Sequence, residues 1–203
     1  MSNPLTRLAV LRAAESLCLE RGVDALSLAA LAIAMGEGRA AVSRFFHDET
    51  TLLDALLERH QTPYEQAWEE RLEAIDSPRA ALRLLASSIA AVVHVEDGGA
   101  AYVAVAAQMC TSARFPLTAR PSTTTPAALK LMGKLTEKSE VPFSLMPLRF
   151  ERFAAVLFSS VLSWYRHGAA RVPDAVFVED LVDTLEAIAL APPSPATQRV
   201  IAG

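Results

Sequence analysis

The chain has 203 residues, 52% of them apolar and 21% charged, and carries a formal net charge of −4 at pH 7. That length can bury one sizeable core, or a small domain joined to a larger one. The acidic balance, with a pI near 5.6, excludes a globally basic nucleic-acid binder. Cys18 and Cys110 are the only two cysteines and have no metal-ligand spacing, so both are expected as buried small hydrophobes and no cofactor is expected. The longest uncharged run, 98–113, is shorter than the roughly 20 apolar residues of a membrane span. With no signal-peptide pattern at the N-terminus, a cytoplasmic protein without a membrane partner is expected. Only 8 glycines and no strand-like alternation point to an all-α fold.

Asn3 is a candidate cap for a first helix with Pro4 in its first turn, running to about Arg21 and stopped by Gly22. Leu8, Val10, Leu11, Ala14, Leu17 and Cys18 form its apolar stripe, and Arg7 and Arg12 its exposed face. Ser27 is the next N-cap candidate, followed by Leu28, Leu31 and Ala32 at helical spacing. Gly36 stands where a left-handed turn is needed. Ala41, Val42, Phe45 and Phe46 make a second apolar set. Asp48 can then cap a helix with Leu52, Leu53, Leu56 and Leu57 on one face. Helix, glycine turn, helix is the helix-turn-helix pattern, whose second helix can enter a DNA major groove. An ordinary helical corner in a bundle has the same local pattern.

The neighbouring residues add a resemblance. Val10-Leu11, Ala13-Ala14, Leu17, Glu20 and Gly22 precede the unit. Ser27, Leu31-Ala32, Gly36, Val42, Phe46 and Leu52-Leu53 continue it. Together, over about residues 7–57, they resemble the N-terminal domain of TetR-family transcriptional regulators. The resemblance implies a three-helix DNA-binding head over 1–55 and a helical ligand-binding and dimerisation domain over 56–191, and residues 192–203 read as a loose C-terminal tail. It implies an operator DNA, a small-molecule effector and a second copy of the chain as partners.

The candidate recognition helix spans about 38–45, with Gly38, Arg39, Ala40, Ser43 and Arg44 exposed. Arg39 is the best base reader, because a guanidinium can donate twice to guanine O6 and N7. Arg44 can read a base or clamp a phosphate, and Ser27 and His47 complete the DNA-facing set. The family usually has Tyr where Ser43 stands, often Tyr or His at Phe45, and Lys at Glu49. Ser43 reaches less far, Phe45 cannot donate, and Glu49 is expected to repel phosphate. Residues 1–60 hold six Arg, no Lys and eight Asp or Glu, a net −2. Since phosphate neutralisation supplies most non-specific affinity, weak or unusually salt-dependent DNA binding is expected.

A long helix is expected from Glu49 towards Ile75, with Pro63 either kinking or ending it. Ser77 caps the next, with Pro78 as its first residue, to about Val95. After a turn at Glu96 to Gly99, Ala100 to Ser112 is apolar nearly all round and belongs in the middle of a domain. Phe115 to Pro126 reads as a loop. Ala127 to Lys138 reads as a short helix whose Lys130, Lys134 and Lys138, the only lysines, share a solvated face. About Pro147 to His167 is a long helix, and Pro173-Asp174 opens the last, to about Leu190. By the resemblance this pair packs against the same pair of a second subunit, through Phe153, Leu157, Val161, Trp164, Phe177, Leu181, Leu185 and Ile188. The candidate pocket residues are Trp68, His94, Tyr102, Gln108, Met109, Met132, Phe143, Met146 and Phe150, for a moderately hydrophobic ligand.

No phosphate loop, metal spacing or nucleophile elbow occurs, and His47, His60, His94 and His167 have no motif partners, so an enzyme is not expected. The expected function is a ligand-responsive regulator that binds a pseudo-palindromic operator as a dimer, in the usual case a repressor. The alternative is a helical dimer of the same build that has lost ordinary DNA binding and serves as a ligand-sensing or interaction module.

Overall fold

The structure is a computed structural model that describes residues 5–120, 125–137, 139 and 141–202, with residues 63–66 and 202 described by their backbone alone. The described residues form ten α-helices and short 3-10 turns, with no strand among them. Helix α1 runs Arg7–Arg21. Its cap is Thr6, whose hydroxyl accepts the Ala9 N–H at 3.1 Å. Asn3 and Pro4 lie outside the described residues. Ser27 caps α2, Leu28–Met35, by accepting the Ala30 N–H at 3.0 Å. Gly36 then takes the left-handed conformation at φ 68, and the following Glu37 N–H closes on the Ala32 carbonyl. Any side chain at this φ would meet its own backbone, which is why the turn falls on glycine.

Helix α3, Arg39–Ser43, is shorter than expected and gives way to a turn before Asp48. Asp48 caps α4, Glu49–Glu73, through the Thr51 N–H at 2.7 Å. Position 63 does not end α4; the helix continues ten residues past it, so Pro63 is not the junction of two helices. Ser77 caps α5, Pro78–Val92, and α6 follows over Gly99–Met109. A 3-10 turn, Leu117–Ala119, occupies part of the expected loop, where Ser122, Thr123 and Thr124 lie outside the described residues. Thr125 caps α7, Pro126–Thr136. Helix α8, Met146–Ser163, runs into a π turn at Trp164–Gly168, and α9 spans Asp174–Leu190. The C-terminal segment, expected as a loose tail, carries a further helix, α10, Pro195–Ala202.

Helices α1 to α3 and the first half of α4 build a head around Leu11, Leu17, Leu31, Val42, Phe46 and Leu53, all 3% exposed or less. Leu8, expected in this stripe, is 42% exposed instead. Each buried leucine or phenylalanine contributes about 1.5–3 kcal/mol. The rest of the chain wraps α6, whose Val103, Val105, Ala106 and Met109 are fully buried. Helix α6 packs on α8, α1, α4 and α5, while α9 covers α5 and α8, and α7 lies on α4. One continuous apolar core extends from Val10 to Ala189. The lysines do not form a free solvated face: Lys130 pairs with Glu69 and Glu73 of α4 at 2.9 and 2.5 Å, and Lys134 donates to the Ile75 carbonyl. Lys138 lies outside the described residues.

Candidate functional site

The first candidate surface is the outer side of the head. Gly38, Arg39, Ala40, Ser43, Arg44 and His47 are all exposed there, on α3 and the turn after it. Arg7, at the start of α1, is exposed and lies over the Phe46 ring, 5.0 Å from its centroid. Ser27 is half-buried and its hydroxyl is committed to capping α2. Ser43 donates its hydroxyl to the Arg39 carbonyl at 2.7 Å. Arg12 points elsewhere, to Asp97 in the turn before α6.

Glu49, expected to face phosphate, is turned inward instead. Its carboxylate accepts the Leu28 N–H at 2.9 Å, an orphan donor of the first turn of α2. That bond holds its carboxyl below the usual carboxylate range, against the effect of burial. Other acids of the head are similarly engaged. Asp48 caps α4, Asp24 accepts from Ser112, Glu15 meets Arg59 and His60, and Asp54 lies 3.7 Å from Arg120. Five of the eight carboxylates in residues 1–60 thus have partners within the chain, which leaves Glu20, Glu37 and Glu58 exposed. The partners of Asp24, Asp48 and Glu49 are neutral N–H or O–H groups, so they fix where these carboxylates point without changing the head's formal charge.

The second candidate is an apolar cavity of about 110 Å³ between α4, α5, α7 and α8. Of the expected pocket residues, Trp68, Tyr102 and Phe150 line it. The other six lie elsewhere. His94 is exposed and meets Trp164 and Tyr165 edge-on, because α5 ends before it. Phe143 is 90% exposed in the 3-10 turn before α8. Met109 is buried in the core, and Met132 and Met146 are half-buried outside the lining. Gln108 serves the head: its side-chain oxygen accepts the Val23 N–H at 2.8 Å. Gln61 is a wall residue that sequence reasoning missed. Its amide donates to the Tyr102 hydroxyl at 3.2 Å. Gln61 stands two helical turns before Trp68 on the same face of α4, a periodic signal that sequence reasoning did not follow because the residue is polar.

Phe153 and Leu157, expected at a subunit interface, line this cavity. Val161, Trp164, Leu181 and Leu185 are likewise buried inside the single chain, and Phe177 stacks on Trp164 with centroids 4.6 Å apart. Ile188 is half-buried against the same core. The apolar stripe of α8 and α9 therefore serves their own core. The faces left outside are built of small and polar residues with a few apolar ones, among them Leu148, Ser159, Val176 and Asp180.

Between head and cavity sits a polar junction. Arg59 and His60 of α4 both meet one oxygen of Glu15 on α1, at 3.0 and 3.1 Å, and all three are largely buried. Asp97 takes Arg59 at 2.7 Å and Arg12 at 3.0 Å, and these two bonds hold its carboxyl below the ordinary range. His60 also packs on the Tyr102 ring, 5.5 Å between centroids. A second clasp joins the end of α6 to the head: Ser112 donates to Asp24, and Arg114 donates to the Asp24 and Leu26 carbonyls at 3.0 Å. Burial pushes the Cys18 thiol up to about 12 and the Cys110 thiol to about 11, so neither is a thiolate near neutral pH. Among the described residues no helix is long and apolar enough to cross a membrane.

No protein-family model and no curated protein matches the chain. Solved structures do. One is the fatty acid degradation regulator FadR from Bacillus halodurans, at 13% identity over 91% of this chain and 96% of that one, with a TM-score of 0.56. Another is the probable transcriptional regulatory protein RHA5900, at 22% identity over 93% and 100%, with a TM-score of 0.55. A third is Thermus thermophilus FadR, a TetR-family transcriptional repressor in complex with lauroyl-CoA, at 20% identity over 94% and 98%, with a TM-score of 0.51. At such identities the shared property is the course of the helices over nearly the whole chain. The chain has the all-α fold of the TetR-family transcriptional regulators.

Proposed function

We propose that this chain is a ligand-responsive, DNA-binding transcriptional regulator that acts as a homodimer on a pseudo-palindromic operator. The observation that carries the reading is the outer side of the head, where Arg39, Arg44 and His47 are exposed while Glu49 turns away to accept the Leu28 N–H. Arg39 reads a base, and Arg44 and Arg7 neutralise phosphate. The second copy packs against the outer faces of α8 and α9, which lets two heads meet half-sites one DNA turn apart.

The polar junction supports a route from cavity to head. Tyr102 and Gln61 stand in the cavity wall, and Gln61 directly follows the Arg59-His60 pair that grips Glu15 of α1. A ligand that favours one setting of α4 against α1 changes the separation of the heads, and with it operator affinity, through its differential binding to two states. Release of a repressor is the direction proposed.

The test is a titration of the protein with its own upstream intergenic DNA at low and moderate salt, beside Arg39→Ala. Loss of one bidentate base contact is worth about 1–3 kcal/mol, so the variant should bind roughly 5- to 150-fold more weakly. A well-folded protein with no specific binding at either salt would overturn the reading. It would favour a ligand-sensing or interaction module instead, a role consistent with Ser43 committing its hydroxyl to the Arg39 carbonyl.

A further inference from the structure

The cavity wall is apolar on nearly every side. Leu72, Leu84, Leu131, Phe150 and Phe158 are typical of it, and no charged side chain lines it among the described residues. Among the described residues, Gln61, Tyr102, Thr125 and the indole N–H of Trp68 bring polar groups to the lining. The Thr125 hydroxyl is committed as the cap of α7, accepting the Ala128 N–H at 3.3 Å. The Gln61–Tyr102 pair is the buried polar spot with an unmet acceptor among the described lining residues. Gln61 donates through Nε2 to the Tyr102 hydroxyl, while its Oε1 is buried without a hydrogen-bond partner. Tyr102 is 2% exposed, and burial pushes its hydroxyl up to about 12, so it is a neutral phenol at physiological pH. Its proton remains available to a second acceptor, since the bond to Gln61 uses only a lone pair.

A buried amide oxygen with no donor costs free energy until something pairs with it. A carboxylate or phosphate placed here would meet no cation and would be desolvated at great cost. A hydroxyl can donate to Gln61 Oε1 and accept from Tyr102. Turned end for end, the Gln61 amide would present Nε2, and a hydroxyl would then accept from it, so the match does not depend on that orientation.

We propose that this cavity binds an uncharged, mostly hydrocarbon molecule carrying one alcohol-type hydroxyl, held at the Gln61–Tyr102 pair. The proposal rests on the reading of the cavity as the effector site, and it names the ligand's chemistry. It predicts discrimination of a kind that a purely apolar pocket cannot achieve, because a ligand lacking the hydroxyl leaves Gln61 unpaired.

The experiment is displacement of a neutral apolar dye, Nile red, from the full chain by decanol, decanoate and decane near neutral pH. It is repeated on Gln61→Leu and Tyr102→Phe, with folding of each checked by thermal melting. Decanol is expected to bind at least about tenfold more tightly than decanoate. Each variant is expected to reduce the preference for decanol over decane by about tenfold, while decane binds as before or better. If Gln61→Leu does not fold, Tyr102→Phe decides. The proposal is overturned if decanoate matches decanol, if decanol fails to displace the dye, or if the decanol preference survives in the folded variants. Decanol that binds as expected but leaves DNA affinity unchanged would sink the regulatory reading and leave the ligand class standing.

Discussion

Glu15 is where the head's stability is most exposed to a single substitution. Its carboxylate is 8% exposed and lies between Arg59, 15% exposed, and His60, 6% exposed. Removing one partner of a buried ion pair costs about 3–5 kcal/mol when the other charge is stranded. Here the stranding is partial, because Arg59 keeps Asp97 at 2.7 Å. Glu15→Ala should therefore cost about 2–3 kcal/mol. For a chain of this size each kcal/mol moves the melting temperature by about 2–4 °C, so a loss of about 5–10 °C is expected. Glu15→Gln keeps the shape and an acceptor and should cost only about 1 kcal/mol. Thermal unfolding followed by circular dichroism separates the two. If both variants melt within about a degree of the unsubstituted protein, the junction carries no net energy, and the argument from burial and pairing is wrong.

Gly98 has φ 91, and a Cβ on it would stand 3.1 Å from the His60 ring and 3.3 Å from Glu15. Gly98→Ala should destabilise by about 1–2 kcal/mol, read from denaturant midpoints; an unchanged midpoint would mean the turn relaxes freely. Glu49 has a folded pKa depressed below 4.5 by the Leu28 N–H. Its stabilisation is complete above the unfolded value and is lost as pH falls through the lower folded one. Glu49→Gln should thus be less stable than the unsubstituted chain near neutral pH, by on the order of 1 kcal/mol, with the gap closing as pH falls below the ordinary glutamate range. A gap independent of pH would refute the role of its charge. With thiols raised to about 12 and about 11, Cys18 and Cys110 should resist iodoacetamide in the folded protein and react together on unfolding, as mass spectrometry would show.

Local chemistry made the helix ends readable. Ser27, Asp48, Ser77 and Gly36 do at α2, α4 and α5 what their side chains or lack of one allow, because caps and left-handed turns depend on residues within a turn of one another. What could not be read depends on contacts across the sequence. Glu49 looks like a first-turn acid of its own helix, yet its partner is Leu28, 21 residues away. Gln61 lies in a polar stretch of α4 and acquires meaning only because Tyr102 is folded against it. For α8 and α9, the stripe at helical spacing was legible but the thing it faces was not. Phe153 and Leu157 turn to a cavity in their own chain, and only the relative placement of α4, α5 and α7 decides that. His94 failed as a pocket residue for a smaller reason: α5 stops at Val92, and the side chain that periodicity would have pointed inward is carried outside.

Helix α6 has a consequence for how the molecule comes apart. Its buried face is shared: Val103 and Met109 belong to the same core as Val10 and Leu17 of the head and Leu157 and Val161 of α8. Gln108 at its far end and Arg114 just beyond it also satisfy backbone groups of the head at Val23, Asp24 and Leu26. A head cut away after α4 would expose the apolar side of α1 and orphan those groups, so it should not persist as a folded fragment. Heating should give a single calorimetric transition, with the amides of α6 among the last to exchange with solvent. The division of labour between reading and sensing is then one of surfaces, carried on a single cooperative unit of melting.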